Sequence, residues 1–181
     1  MNFPNLITIG RILLVPFTIW LLISEEFAAA FFVFIIAGIS DGVDGYLARI
    51  TNRQTELGAY LDPIADKALL VSVFAALGIV KILPAWLVLI VITRDILIVG
   101  GVLLAWVINQ PLIMKPLWIS KLNTVVQIIF VGLVLGALGL KFEAHLLLLG
   151  GSFVVAGFTL VSGAFYMRDW VRHVGDNGEK P

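Results

Sequence analysis

The chain has 181 residues, of which 60% are hydrophobic and 13% charged, with twelve acidic and twelve basic residues and a mean hydropathy of +1.05. That composition excludes an ordinary water-soluble globular domain, and the balanced charge gives no reason to expect a nucleic-acid partner. Without cysteine, neither a disulfide framework nor a thiol nucleophile is available, and metal ligands narrow to carboxylate and imidazole.

Long continuous apolar runs such as LLVSVFAALGIV and LVLIVI predict helices, because a barrel strand would alternate apolar and polar residues. Lipid cannot satisfy an open sheet edge or an irregular backbone, so the expected fold class is an all-α polytopic membrane protein with about six transmembrane helices in one domain, 1–181. The residues before Ile7, with Pro4 and Asn5 as start signals, read as a short N-terminal interfacial arm. Spans then follow at roughly 8–24, 27–47, 59–79, 84–108, 122–140 and 145–166, each near the 17 to 25 residues that cross the hydrocarbon. The first is read as a span and not as a cleaved leader. Only Arg11 precedes its apolar run, which continues past Pro16 to Ile23 with no small-residue cleavage site before Glu25 and Glu26. Trp86, Trp118 and Trp170 fall near span ends, where indole rings favour the interface, and Asp169 to Pro181 read as a short mobile cytoplasmic tail.

An even number of spans places both termini on one side. That side collects Arg11, Arg49, Arg53, Lys67, Lys115, Lys121, Arg168, Arg172 and Lys180, against Lys81 and Lys141 opposite, with Arg94 inside a span. The positive-inside rule therefore puts both termini in the cytoplasm, across the inner membrane if the source is bacterial. The end of the second span and the start of the third then meet at the cytoplasmic face.

Those two ends carry Asp41, Asp44, Asp62 and Asp66. Spacings of three and four put each pair on one helical face, and a short connection makes the two helices antiparallel neighbours, so four carboxylates converge. An ionisable group at the bilayer centre costs roughly 2.5 to 3.5 kcal/mol on insertion scales, and mutual repulsion adds to the cost even near the interface. Divalent cations resolve the conflict. Oxygen-only ligands favour Mg²⁺ or Mn²⁺, and four carboxylates can hold two ions about 3.5 to 4 Å apart, an arrangement used in phosphoryl chemistry. Gly38, Gly42 and Gly45 on one helix and Gly58 on the other either allow close helix packing or clear space for a bulky ligand, the second reading suiting Gly45 and Gly58 and the first suiting Gly38. Arg49, at the helix exit, either pairs with a phosphate or anchors in headgroups, and the acidic neighbours favour the phosphate.

The run from Asp41 to Asp66 resembles the signature of the CDP-alcohol phosphatidyltransferases: Asp, two residues, Asp-Gly, two, Ala-Arg, eight, Gly, three, Asp, three, Asp. Here the positions are Asp41, Asp44, Gly45, Ala48, Arg49, Gly58, Asp62 and Asp66, without departure in type or spacing. The opening PNLITIGR and the layout of spans are also similar to members that act on glycerol-containing acceptors. The resemblance implies that CDP-diacylglycerol places its pyrophosphate on metals held by Asp41, Asp44 and Asp62. It further implies contacts to the CDP-lipid from Arg11, Gly45, Ala48, Arg49 and Gly58, and a general base in Asp66, which also reaches a metal. An alcohol attacks the phosphorus attached to diacylglycerol, CMP leaves, and the enzyme works as a homodimer among membrane lipids.

A second polar set, Arg94, Asp95, Lys121, Asn123, Thr124 and Gln127, is the candidate acceptor site. Its bland readings are that Arg94 and Asp95 neutralise each other inside the bundle and that Lys121 snorkels to headgroups. The stretches WISKLNTVVQ and TRDILIV resemble cardiolipin synthases of the eukaryotic type, whereas phosphatidylglycerolphosphate synthases tend to have Glu at position 95 and a second Lys at 123. Fewer fixed cations suit a less highly charged acceptor. The expected reaction is therefore phosphatidyl transfer to phosphatidylglycerol, giving cardiolipin, with glycerol 3-phosphate as the alternative acceptor. A reading of another class, an ion-coupled transporter, would require polar residues through the whole bundle, but FAAAFFVFII and LVSVFAALGIV carry no ionisable residue. His145 and His173, far from the acids in sequence and expected at opposite faces, make poor metal ligands.

Overall fold

A chain this poor in polar side chains has to satisfy its backbone within each segment, and the described residues do so as helices joined by tight turns. The computed structural model describes the backbone over 3–51, 56–107 and 118–177, and side chains at Gly10 and over 13–40, 67–100 and 118–169. Within it lie α1 (Phe3–Ile23), α2 (Phe27–Thr51), α3 (Glu56–Ile79), α4 (Ala85–Val107), α5 (Trp118–Gly139) and α6 (His145–Asn177), with no strand among the described residues. Two helix segments, Trp118–Gly139 and His145–Asp169, are long and apolar enough to cross a membrane among those described.

Two sequence expectations change at the ends. The residues ahead of Ile7 form no separate arm, since from Phe3 they are the first turns of α1. Likewise Asp169 to Asn177 continue α6 as helix, so the expected tail shrinks to 178–181, outside the described residues. Hydropathy marks where polar side chains begin, whereas a helix stops only where a cap or breaker stops it.

The three connections on one side of the bundle close in the same way. Glu25, Lys81 and Lys141 each adopt a left-handed conformation, with φ of 59°, 60° and 58°. At each, the next residue's N–H reaches back five positions, Glu26 to Leu21 (2.9 Å), Ile82 to Leu77 (2.9 Å) and Phe142 to Ala137 (2.8 Å). The left-handed residue itself donates three positions back, to Leu22, Gly78 and Leu138, each at 3.1 Å. These paired bonds occupy carbonyls that a helix end leaves open, and they turn α1 into α2, α3 into α4 and α5 into α6 within a few residues.

Neighbour pairs fix the directions. Gly139 and Gly136 of α5 meet Ala28 and Phe31 of α2, so these helices are antiparallel. A Cβ on Gly139 would stand 2.8 Å from the Ala28 Cα, so only glycine permits this backbone approach. Trp86 meets Phe153 and Arg94 meets Ser162, so α4 and α6 run parallel. Gly78 beside Val88 and Lys67 beside Asp95 set α3 antiparallel to α4. Both α1 and α5 pack against both α2 and α3.

The interior is layered. Next to the tight turns lies an apolar layer: Leu22 of α1, Val73, Phe74 and Leu77 of α3, Leu87 and Val91 of α4, Val131, Val134 and Leu135 of α5 and Val155 of α6. One step further from the turns, the same inward faces become polar, with Arg94 and Asp95, Asn123 and Gln127, and Thr159 and Ser162 all buried. Outward positions such as Leu13, Trp20, Phe32, Ile39, Leu89, Ile96, Leu133, Leu146 and Phe153 are exposed apolar side chains. An exterior of that kind suits lipid, not water.

Candidate active site

The motif residues occupy the parts of α2 and α3 farthest from the tight turns. Asp41, Asp44, Gly42, Gly45, Ala48 and Arg49 lie in the last part of α2, and Gly58, Asp62 and Asp66 in the first half of α3. Their side chains, and that of Arg11 in α1, lie outside the described residues. Backbone register still sets their depth. Stepping along α2 from Phe31, opposite Gly136, and back along α5 brings Asp41 level with Val126 and Asp44 level with Asn123. Phe74 of α3 stacks on Phe130 of α5 with centroids 6.4 Å apart, and because these helices are parallel, Lys67 also comes level with Asn123. Asp66 is then about 1.5 Å, and Asp62 about 7.5 Å, further from the turns along α3. The helix rise thus sets Asp44 and Asp66 at nearly the same depth.

That depth coincides with the buried polar layer. Arg94, 4% exposed, donates through Nη1 to Asp95 Oδ1 at 2.6 Å, and through Nη2 to Ser120 Oγ on α5 and Ser162 Oγ on α6, both at 2.7 Å. Lys67 Nζ on α3 donates to the same Asp95 oxygen at 2.9 Å. A second group joins α5 to α6: Gln127 Nε2 donates to Thr159 Oγ1 at 3.2 Å, and that hydroxyl donates to Asn123 Oδ1 at 3.0 Å. Buried side chains so paired are tolerated, since each bond offsets the loss of hydration. Two donors in this layer have no partner among the described residues, Arg94 Nε and Asn123 Nδ2. Asn123 is fully buried, so its free amide N–H groups are costly unless something else accepts from them.

The residues proposed for the acceptor therefore separate. Arg94, Asp95, Asn123 and Gln127 converge in the interior, while Lys121 is exposed on the outer side of α5 and the Thr124 hydroxyl donates to the Ser120 carbonyl (3.2 Å) one turn back. Lys67, one of the basic residues expected on the cytoplasmic side, reaches from the rim into the bundle toward Asp95. Sequence reading also passed over Ser120, Thr159 and Ser162. The signal available was the spacing of Ser152, Thr159 and Ser162, which puts these hydroxyls on the inward face of an otherwise apolar α6. Gly38, expected to serve close packing, has open space where a Cβ would stand. His145 opens α6 and His173 follows about 42 Å along it, consistent with neither joining a common site.

The donor set of the motif fits a hard divalent ion: two carboxylates on each of two helices, with neither thiolate nor imidazole among the motif positions. Comparison with known proteins identifies the family. The CDP-alcohol phosphatidyltransferase family model matches residues 1–163, which include every motif position. A chloroplastic CDP-diacylglycerol–glycerol-3-phosphate 3-phosphatidyltransferase 1 of Oryza sativa subsp. japonica is 38% identical over 148 residues, covering 72% of this chain and 45% of that protein. A cardiolipin synthase (CMP-forming) of Homo sapiens is 35% identical over 150 residues, covering 74% and 50%. A probable phosphatidylglycerophosphate synthase of Mycobacterium tuberculosis is 30% identical over 181 residues, covering 96% and 84%. The chain spans about half the length of the rice and human relatives. With its whole signature inside a match that extends over most of its length, the chain belongs to the CDP-alcohol phosphatidyltransferase family.

Proposed function

We propose that this protein transfers the phosphatidyl group of CDP-diacylglycerol to a hydroxyl of phosphatidylglycerol, forming cardiolipin and releasing CMP. The observation that carries the transfer reading is the complete signature from Asp41 to Asp66 within the family match. Two Mg²⁺ or Mn²⁺ ions on Asp41, Asp44, Asp62 and Asp66 would supply charge neutralisation at the pyrophosphate and the departing CMP. Asp66 takes the proton of the attacking hydroxyl. The hydroxyl oxygen bonds to the phosphorus that bears diacylglycerol, the anhydride bond to CMP breaks, and its electron pair leaves with CMP. Gly45, Ala48 and Gly58 give the CDP-lipid clearance, and Arg49 with Arg11 holds its phosphates. In this reading all six helices span the membrane, both termini and the acidic ends of α2 and α3 lie on the cytoplasmic side, and the unit is a homodimer.

What the described polar layer leaves free supports this acceptor. A glycerol phosphate monoester near two negative charges needs several free cationic donors. Arg94 has committed both Nη2 hydrogens and one of Nη1, so neither its end-on nor its Nε-side pair of donors remains whole for a phosphate. Asn123 instead offers a neutral amide at the depth of Asp44 and Asp66. That donor suits a hydroxyl or a singly charged diester better than a dianion. The purified protein, given CDP-diacylglycerol and each acceptor separately, should release CMP with phosphatidylglycerol. Release with glycerol 3-phosphate alone overturns the acceptor assignment. Asp66→Asn should abolish turnover while keeping Mg²⁺-dependent nucleotide binding, and near-normal activity in that variant removes Asp66 from the base role.

A further inference from the structure

We infer that Asp95 is a positioning residue for the reaction, acting through Lys67 to hold the acidic segment of α3 in register with the rest of the bundle. The inference rests on the reading of Asp62 and Asp66 as active-site acids. Lys67 follows Asp66 directly and is the described residue nearest to it that is tied to another helix. Its ammonium reaches Asp95 Oδ1 at 2.9 Å, the same oxygen that Arg94 holds at 2.6 Å. Arg94 then continues to Ser120 and Ser162, so one connected group spans α3, α4, α5 and α6 at a single depth. Asp95 is its hub, because among the described residues every path from Lys67 to the other three helices passes through that oxygen.

Burial explains why the hub is stiff. The Asp95 and Arg94 side chains are 9% and 4% exposed, so their bonds face little competition from water, while the Lys67 side chain, 35% exposed, bridges from the interior to the rim. Two cations converge on one carboxylate. Neutralising Asp95 would leave both without their anion and free Lys67 to turn toward the neighbouring acids instead. The α3 backbone at Asp66 would then lose its tie to α4. In-line transfer depends on placement, and a shift of about 1 Å can cost about 100-fold in rate.

Steady-state CMP release from CDP-diacylglycerol, in micelles containing both phosphatidylglycerol and glycerol 3-phosphate, tests this whichever acceptor is used. Asp95→Asn and Lys67→Met should each lower kcat by about 10- to 100-fold with the KM for CDP-diacylglycerol within about threefold. The double variant should be no slower than the slower single one, because both break the same link. Asp95→Glu and Lys67→Arg should recover much of the rate. Normal kcat in both single variants, or losses that multiply in the double, overturns the inference. Should Asp95→Asn fail to fold, Lys67→Met against Lys67→Arg decides on its own, since this side chain sits at the rim. Asp66→Asn assayed alongside keeps the two readings apart. Turnover there overturns the base assignment and the positioning with it, whereas loss there with normal rates in both network variants overturns the positioning alone.

Discussion

Thr159 holds two amides with one hydroxyl, accepting from Gln127 and donating to Asn123. Thr159→Val keeps the shape and removes both bonds, leaving Asn123 Oδ1 and Gln127 Nε2 unpaired in the interior. Each unsatisfied group costs about 1 to 3 kcal/mol, so the variant should melt at lower temperature in detergent while Thr159→Ser stays close to the parent. An unchanged melting point for Val would contradict the bonding described. Gly139→Ala should also destabilise, by about 1 to 3 kcal/mol, since its Cβ would meet rigid Ala28 backbone, not a flexible side chain. At this scale the family signature was legible because it fixes both residue type and spacing from Asp41 to Asp66. The Lys67 to Asp95 bond was not. Its partners are far apart in sequence, and a lysine at a span end has the same composition whether it meets headgroups or turns inward.

The helices themselves were legible from apolar runs, and the three tight connections fall where Glu25, Lys81 and Lys141 interrupt them. What hydropathy did not give was the start of α1, the start of α5 and the end of α6. In α5 the polar side chains Lys121 and Asn123 marked an apparent boundary, yet both lie within the helix, where Asn123 is paired with Thr159 of α6. The left-handed caps lead to an element-scale prediction. A non-glycine residue in this conformation is disfavoured by roughly 1 to 2 kcal/mol, so Lys81→Gly and Lys141→Gly should each raise thermal stability, by up to about 1 kcal/mol after the entropy cost of glycine. Lys81→Val should lower it. A stabilising valine at position 81 would mean that the cap is not formed.

For the whole molecule, composition identified the surroundings before any motif was read, and the exposed apolar exterior fits it. Orientation is testable directly because the natural chain has no cysteine. In intact bacterial cells, Lys81→Cys and Lys141→Cys should react with a membrane-impermeant maleimide, whereas Arg168→Cys should react only after the membrane is opened. The reverse pattern would place the acidic ends of α2 and α3 outside the cell and refute the proposed orientation.

The three identical caps give the bundle the mechanics of a lever. Each helix pair is joined within a few residues at one end, with its cap bonds made and the apolar layer packed beside it. Small rotations about those joints produce displacements that grow along the helices. A tilt of about 5° over the roughly 35 Å of a 24-residue helix moves its far end by about 3 Å. The far end is where α2 and α3 carry the aspartates. Under the proposed function, room for the CDP-lipid would open there while the packing near the joints stays almost unchanged, and the ion pairs of Lys67 and Arg94 with Asp95 sit where they limit how far that opening goes.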